Sequence, residues 1–540
     1  MPNRLLSTIV FVLLLFPASV MAAPTVFYTD IVTGPNTGGE NNQGAYLTIF
    51  GSGFGATRGS SQVTINNIPV AAYKQWSDAK ITVQPGASVT SGVIRVMAGG
   101  VTSSSTQTFT VVPGDIYFVA LNGNNSTGVI GDINHPFRTI QTVLDRSDFG
   151  PGDHLVVRGG NWSDVYDMYG SFFSIHHKEG TAAAPLVVMG YPAETVNLIQ
   201  TTQTKGIHSW ATLGHYVIAN FHMDCNQHGL GIGITPGTTD VRIVNNEVKD
   251  FFEDSGGAAT IDGSGKQYRI FGNLLHDNGG SKLYHAIYMD ARDTTGVNDI
   301  EIAYNHVYNQ TGGRGIQIYG DTGTLINNVR IHHNLIHNIH LDGILLGDYT
   351  GTGIQVYNNV VYHTADPLMQ GPTSDHGGSG SCLRLNSDSV VASVYNNTFS
   401  DCAVDGSVDS TGVEFQRAVG VTFVNNIVDT SGGSGYVHLS IPSSRISASN
   451  NAWFGAGAAP TWGTSGAVTS DPLFAGASTG NFSLLSNSPV IDRGSSSVNA
   501  LVITDFNGGV RPQGNGYDIG AYESSGASLP KPQNVRVIRQ

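Results

Sequence analysis

Lysine is nearly missing from this chain, at eight residues in 540, and only 12% of positions carry Asp, Glu, Lys or Arg. A coiled coil or a disordered chain would be more charged and less apolar, so both are excluded, and 69 glycines mark a loop-rich globular protein. The little charge present is acidic, with 26 Lys and Arg against 40 Asp and Glu and a net charge of −14. That excludes general nucleic-acid binding, which needs a basic surface. An anionic ligand would need a local cationic patch, built mostly from arginine. Cysteine is also scarce. Cys225, Cys382 and Cys402 are too few for a disulfide scaffold, although one pair can form in an oxidising compartment. After residue 23 no segment approaches the roughly 18 apolar residues that span a bilayer, so no membrane span is expected.

What is present begins with residues 1–23. Arg4 precedes LLSTIVFVLLLF, then come Pro17 and the small-residue site VMAA, the pattern of a cleavable signal peptide. The expected location is therefore secreted or periplasmic. Its removal takes one cation and no acid, moving the charge from −14 to −15. Residues 24–112 alternate apolar and polar between Gly-rich turns, as a small β-sandwich does. At YLTIFGSGFG and KITVQPG this region also resembles the immunoglobulin-like IPT/TIG domain, which in secreted carbohydrate enzymes is usually an accessory module.

From residue 113 the pattern changes. Residues 130–162 read as a short amphipathic helix, a Pro-Gly-Asp turn and a strand, and resemble the opening segment of secreted right-handed parallel β-helix enzymes, where the helix caps the coil. A repeat then takes over. VRIVNNEV, YRIFGNLL, IEIAYNHV, VRIHHNLI, IQVYNNVV, ASVYNNTF, VTFVNNIV and ISASNNAW share the frame apolar-x-apolar-x-x-Asn-x-apolar. The framed Asn falls at 246, 273, 305, 334, 359, 397, 426 and 451, and YVIANFHM places Asn220 one turn earlier. A repeat of 25 to 38 residues marks a solenoid, because one coil buries its apolar face only when neighbours stack on it. Val/Ile richness without long helical periodicity selects a parallel β-helix. The fold class is thus all-β: a right-handed parallel β-helix over 113–525 behind a sandwich. The Asn row is expected to be a structural ladder. Residues 471–523 resemble a C-terminal closing segment over the last coil, and 526–540 a linker or tail.

A second short strand precedes each framed segment. Taking Ile287/Met289, Ile316/Ile318, Ile344/Leu346 and Leu383/Leu385 as inward leaves Thr260, Tyr288, Gln317, Leu345, Arg384 and Glu414 as an outward stripe. Asp262, Asp290, Tyr319, Asp348 and Asn386 flank it. Loops just upstream add Lys282, Tyr284, His285, Arg314 and Asp342, and a long one adds Asp366, Asp375 and His376. Long loops on one side of a rigid scaffold are the usual walls of a groove. No other part of the chain gathers so many titratable groups within two or three coils.

Other clusters read as structural. Lys249, His276, Tyr308, His337 and Tyr362 share one slot and are expected to stack outside. The run RIHHNLIHNIH looks like a metal site by composition only, since its histidines fall on different sides of one bend. Cys225 and Cys402 stand about 29 Å apart at ~4.8 Å per coil, too far to bridge, whereas Cys382 and Cys402 belong to one coil and can pair.

The β-helix region resembles the pectate-lyase-like superfamily over about 115–525, a resemblance specific for fold rather than reaction. It implies a polysaccharide substrate laid along a groove, and first a lyase acting on a uronic-acid polymer. β-Elimination needs a base, neutralisation of the carboxylate and an acid for the leaving oxygen. His285 or Lys282 is the candidate base, Tyr284 or Tyr288 the acid, and Arg314 the carboxylate clamp or itself a base. Arg384, Gln317, Tyr319, His376 and Glu414 are candidate substrate contacts. Asp262 and Asp290 are candidate ligands for a calcium ion; no organic cofactor is expected, and a monomer is. The alternative enzyme is a glycoside hydrolase using Asp262 with Asp290, or Asp290 with Asp348. The Asn-Thr-Asp and Gly-His-Gly motifs of polygalacturonases are absent, as are the Trp-Ile-Asp-His element of well-known pectate lyases and the motif arrangement of chondroitinase-B-like alginate lyases. A non-catalytic glycan-binding protein is the third reading.

Overall fold

The computed structural model describes residues 23–524 apart from 167–169, 202–204, 228, 253–257, 292–295, 321–323, 348–349, 370–379, 388, 406–410 and 431–434. The expected signal peptide, except for its last residue, and the tail lie outside the described residues, as do Asp348, Asp375 and His376. No helix among the described residues is long and apolar enough to cross a membrane.

Residues 25–111 form a two-sheet sandwich. One sheet orders Thr25–Thr29, Leu47–Ser52, Lys80–Gln84 and Ala72–Trp76; the other is built around Gly92–Ala98. Alternation puts Ile49, Val63, Ile81, Val83, Ile94 and Val96 between them, all fully buried.

From Ile116 the chain winds into a solenoid of three parallel sheets. The first has twelve strands, from Ile116–Val119 to Ile446–Ser449; the second has eleven, from Gly160–Trp162 to Ala452–Phe454; the third has ten, from Phe173–Ile175 to Gly435–Leu439. In the first sheet, like residues stack directly: Ile243, Ile270, Ile302, Ile331, Val356, Val394 and Phe423 pair in sequence. Each burial removes apolar surface from water, and β-branched side chains suit the pleat.

The bend after each first-sheet strand has one cause. The residue before the ladder Asn takes a left-handed conformation, with φ of 54° at Asn245, 62° at Gly272, 50° at Asn358 and 52° at Asn396. Asn tolerates that region better than other side chains, and Gly enters it freely. The ladder Asn then turns inward. Asn246, Asn273, Asn305, Asn334, Asn359, Asn397 and Asn426 each donate through Nδ2 to Oδ1 of the next, at 2.9–3.2 Å. Asn451 ends the row. Asn220 is not a rung. Phe221 holds that position, its N–H donating to Asn246 Oδ1, so the repeat frame is offset by one residue there. Asn220 instead takes the left-handed position and donates to Asp30 of the sandwich at 3.1 Å.

The sandwich lies on the outer face of the first sheet. Tyr28 packs against Phe271 and Tyr304, Tyr46 against Phe118 and Tyr191, and Arg242 donates to Thr29 O at 2.7 Å. This cover explains why early strands such as LVVMG are apolar on both faces. The short helix Ile140–Leu144 is buried at the N-terminal end of the solenoid core, as expected.

The C-terminal segment departs from expectation. The last coil is closed by Trp462, which packs on Trp453 and Phe415, rather than by 471–523. Residues 493–520 run back along the bend between the first two sheets. The left-handed Asn450, Asn425, Asn396 and Asn358 donate in turn to Arg493 O, Ser495 O, Asp518 O and Thr504 O. The segment reaches the sandwich, where Thr25 Oγ1 donates to Gly508 O. Polar side chains exposed at a row of bends offered it a ready line of donors.

Candidate functional site

The inward residues assigned to the third sheet are inward: Ile287, Met289, Ile316, Ile318, Ile344, Leu346, Leu383 and Leu385 are all fully buried. Strand pairing then fixes an outward row of Asp262, Tyr288, Gln317, Leu345, Arg384, Glu414 and His438. Asp262, not Thr260, is the residue in line with Tyr288, because Ile261 pairs with Ile287. Asp290, Tyr319, Gly347 and Asn386 form the flanking row, with Gly347 where Asp348 was expected.

A groove of about 410 Å³ opens over these rows. His285, Tyr288, Arg314, Gln317, Tyr319 and Arg384 line it, together with Leu283, Leu345 and Asn386. The structure thus brings six of the expected site residues to one place. Tyr284 is not among them. Its ring is fully buried in the solenoid core, edge-on to Phe251, so it cannot meet a substrate. Lys282 is half-buried in the loop just before this strand and is not part of the groove lining. His376 lies outside the described residues.

Beneath the groove is a residue to which the sequence reading gave no role. Asp342 has no side-chain exposure and accepts from Arg314 Nε at 2.8 Å through Oδ2. Its Oδ1 lies 3.2 Å from Arg384 Nε and accepts Ser381 N–H at 3.0 Å. Arg384 Nε also sits 2.5 Å from Glu414 Oε2, an ion-pair contact without the alignment of a hydrogen bond. Glu414 Oε1 accepts from Gln416 at 2.6 Å and meets His438 Nδ1 at 3.1 Å. Burial raises the Glu414 carboxyl above its ordinary value against the pull of Arg384. The signal for Asp342 was legible: it stands two residues before inward Ile344, as Arg314 stands two before Ile316.

His285 is buried in the groove wall. Desolvation first, and the Arg314 charge second, hold it well below the usual 6.5, so it is neutral. The Arg314 backbone N–H points at His285 Nδ1 at 3.3 Å, which leaves Nε2 for other partners. The Tyr288 ring lies edge-on, 5.2 Å away. Arg314 uses Nη1 on Gln317 Oε1 at 3.1 Å, and its Nη2 makes no hydrogen bond or ion pair among the described residues.

Among the described residues, no three His, Cys, Asp or Glu side chains come together to hold a metal ion. Asp262 and Asp290 sit two register positions apart on adjacent strands. They would supply two of the six to eight oxygens that calcium takes. In the histidine run, His337 faces His306 of the preceding coil at 2.9 Å, and His332 bonds His333 and Glu301. His276, Tyr308, His337 and Tyr362 stack outside as expected, at 4.7–5.3 Å. Cys382 and Cys402 are disulfide-bonded, with Cα atoms 5.5 Å apart, beside the strand that carries Arg384.

The sandwich at the N-terminus answers to a known family model over residues 29–111. It is an IPT/TIG domain. Among curated proteins, the chain is 31% identical over 109 residues to a cyclomaltodextrin glucanotransferase of Niallia circulans, covering 19% of this chain and 15% of that protein. A second such enzyme, from Bacillus sp. (strain 17-1), is 33% identical over 153 residues, covering 27% of this chain and 20% of its own length. The chain therefore spans a fifth or less of the length of these relatives. Among solved structures it is similar to pectate lyase Pel9A, with TM-score 0.43 and 14% identity over 76% of this chain and 96% of that one. It is also similar to XylC in complex with xylose, with TM-score 0.41 and 12% identity over 75% and 98%. The IPT/TIG domain and the solenoid behind it account for most of the described residues, and 455–524 form the C-terminal segment.

Proposed function

We propose that the chain is a polysaccharide lyase that cleaves a uronic-acid-containing polymer by β-elimination in the third-sheet groove. One observation carries this reading. Among the described residues, the groove lining joins a neutral imidazole, two phenols and two guanidiniums, and includes no carboxylate. A glycoside hydrolase needs two carboxyl groups at the scissile bond. Of the candidate carboxylates, Asp262 and Asp290 stand in the outward and flanking rows but not in this lining, and Asp348 lies outside the described residues. Asp342 and Glu414 are buried beneath the lining and engaged with arginines.

Arg314, fixed by Asp342, offers Nη2 to the uronate carboxylate, with Arg384 further along. Neutralising that carboxylate acidifies the adjacent C–H. Neutral His285 takes the proton from C5 at Nε2. The C4–C5 double bond forms as the C4–O bond breaks, and the Tyr288 hydroxyl gives its proton to the leaving oxygen. Gln317 and Tyr319 act as substrate contacts; Glu414, expected as a third, is fully buried beneath the lining and supports Arg384 instead.

The test is a panel of pectate, alginate, glycosaminoglycan and neutral glycans, with and without chelator. Absorbance of the unsaturated uronate is followed beside reducing ends. The lyase predicts both signals together, lost in His285→Ala. Reducing ends without absorbance would replace it with the hydrolase, and silence on both with retained binding would leave a glycan-binding protein. The chelator arm tests the calcium expectation at Asp262 and Asp290.

A further inference from the structure

The hexapeptide KGIHSW at 205–210 repeats the chemistry of RGIQIY at 314–319: cation, glycine, isoleucine, hydrogen-bonding side chain, one intervening residue, aromatic. Strand register turns that likeness into geometry. Ile207 pairs through Ile232, Ile261 and Ile287 to Ile316. Lys205 therefore stands in the row of Arg314, and His208 in the row of Tyr288 and Gln317. Trp210 follows His208 at the spacing by which Tyr319 follows Gln317. The two sets are four coils apart, about 19 Å at ~4.8 Å per strand.

The side chains at the distal set are grouped. Lys205 Nζ lies 4.6 Å from the centre of the Trp210 ring, and the His208 ring 4.1 Å from it. Trp210 is 37% exposed, unusual for a ring of its size. Gly233 occupies the next position along the row. A Cβ there would come within 2.9 Å of His208 Cδ2, so the imidazole lies over bare backbone on the way to Asp262 and Tyr288.

We propose that Lys205, His208 and Trp210 form a second uronate-binding subsite, which holds the polymer four coils from Arg314. The proposal rests on the reading of the groove as acting on a uronic-acid polymer. The exposed part of the Trp210 ring takes the apolar face of a sugar, and the Lys205 ammonium held over that ring takes its carboxylate. A ligand that reaches both sets gains from each, whereas one too short to span them meets only one.

The experiment compares the full chain with Lys205→Ala/Trp210→Ala and with Trp210→Phe, on a polyuronate and on its disaccharide. The double variant is expected to raise KM for the polymer about tenfold, with the disaccharide unchanged and Trp210→Phe near normal. Retardation in a polyuronate affinity gel reads binding without turnover. If the lyase reading fails, no unsaturated product forms with any variant, yet retardation still falls in the double variant. Lys205→Glu, which leaves the ring in place, gives a second reading and is expected to lose retardation too. Unchanged retardation and KM in both variants, or an equal loss on the disaccharide, would overturn the subsite.

Discussion

The carboxylate of Asp342 meets the Arg314 guanidinium at 2.8 Å from the adjacent coil, with no exposure of its own. Its other oxygen reaches Arg384, one coil further on, at 3.2 Å. One carboxylate therefore sets the placement of both cations in the groove. A charge this deeply buried is tolerated only because both its oxygens are engaged.

Asp342→Asn keeps the shape and removes the charge. Arg384 retains Glu414, but Arg314 loses the one anion it contacts among the described residues. Breaking a buried pair from one side costs about 3 kcal/mol, read as a lower melting temperature. Activity on polyuronate is expected to drop by about two orders of magnitude, as when one stabilising charge contact is lost. In a double-mutant cycle, Arg314→Gln should add much less on top of Asp342→Asn than alone. Full additivity would show that the pair does not act as a unit.

His285 gives a pH dependence of defined sign. Burial and the Arg314 charge hold its folded-state value well below 6.5. Below 6.5 the unfolded chain binds a proton there that the folded chain does not, so this contribution to stability is present above 6.5 and lost as pH falls toward the folded value. Melting temperature against pH should fall less steeply on the acid side in His285→Gln than in the parent. The acid limb of kcat/KM should also lie below 6.5, since the base stays neutral there. A limb at 6.5 would point to a different, exposed group.

The sequence carried the register because aliphatic pairs such as Ile287/Met289 and Ile316/Ile318 leave only one face to bury. It carried the ladder because one amide recurs in one frame. The misplacements share a cause, in that local alternation says nothing of how one coil aligns with the next. Alternation alone allows Thr260 in the stripe with Asp262 flanking it, whereas Ile261 opposite Ile287 puts Asp262 itself in line with Tyr288. Asn220 was framed one residue early, and only its hydrogen bond to Asp30 reveals the offset. Tyr284 looks like a groove residue by polarity, yet its ring is large enough to fill core space beside Phe251. The Asp342 contact with Arg384 joins residues 42 positions apart in the chain, which no spacing rule within one coil contains.

Asn334 tests the ladder. Its Oδ1 accepts from Asn305, and its Nδ2 donates to Asn359 Oδ1 and Ile302 O. Asn334→Ala leaves several buried partners unsatisfied, at about 1–3 kcal/mol each. Its melting temperature should fall well below that of Asn220→Ala, which removes bonds at the sandwich contact and leaves the ladder whole. Equal losses would mean that the ladder adds nothing beyond an ordinary buried amide.

On the outer face of the second sheet, Glu247 bonds His222 at 2.7 Å and His276 at 3.1 Å, and Asp277 meets the other nitrogen of His276 at 2.6 Å. Burial opposes charge on His276, but the bonds to Glu247 and Asp277 outweigh it and raise its value above 6.5. Bonds from His222 and then His276 hold Glu247 below its usual 4.5. The histidine contribution is complete below 6.5 and is lost as pH rises through its raised value. The glutamate contribution is complete above 4.5 and is lost as pH falls through its lowered one. Both are in force between 4.5 and 6.5. Glu247→Gln should therefore cost most in that window, on the order of 1–2 kcal/mol, and progressively less in alkali. His276 also stacks on Tyr308, a packing contribution that does not require its charge. Melting temperatures of parent and variant across pH separate the two contributions, and a penalty independent of pH would assign the whole effect to packing.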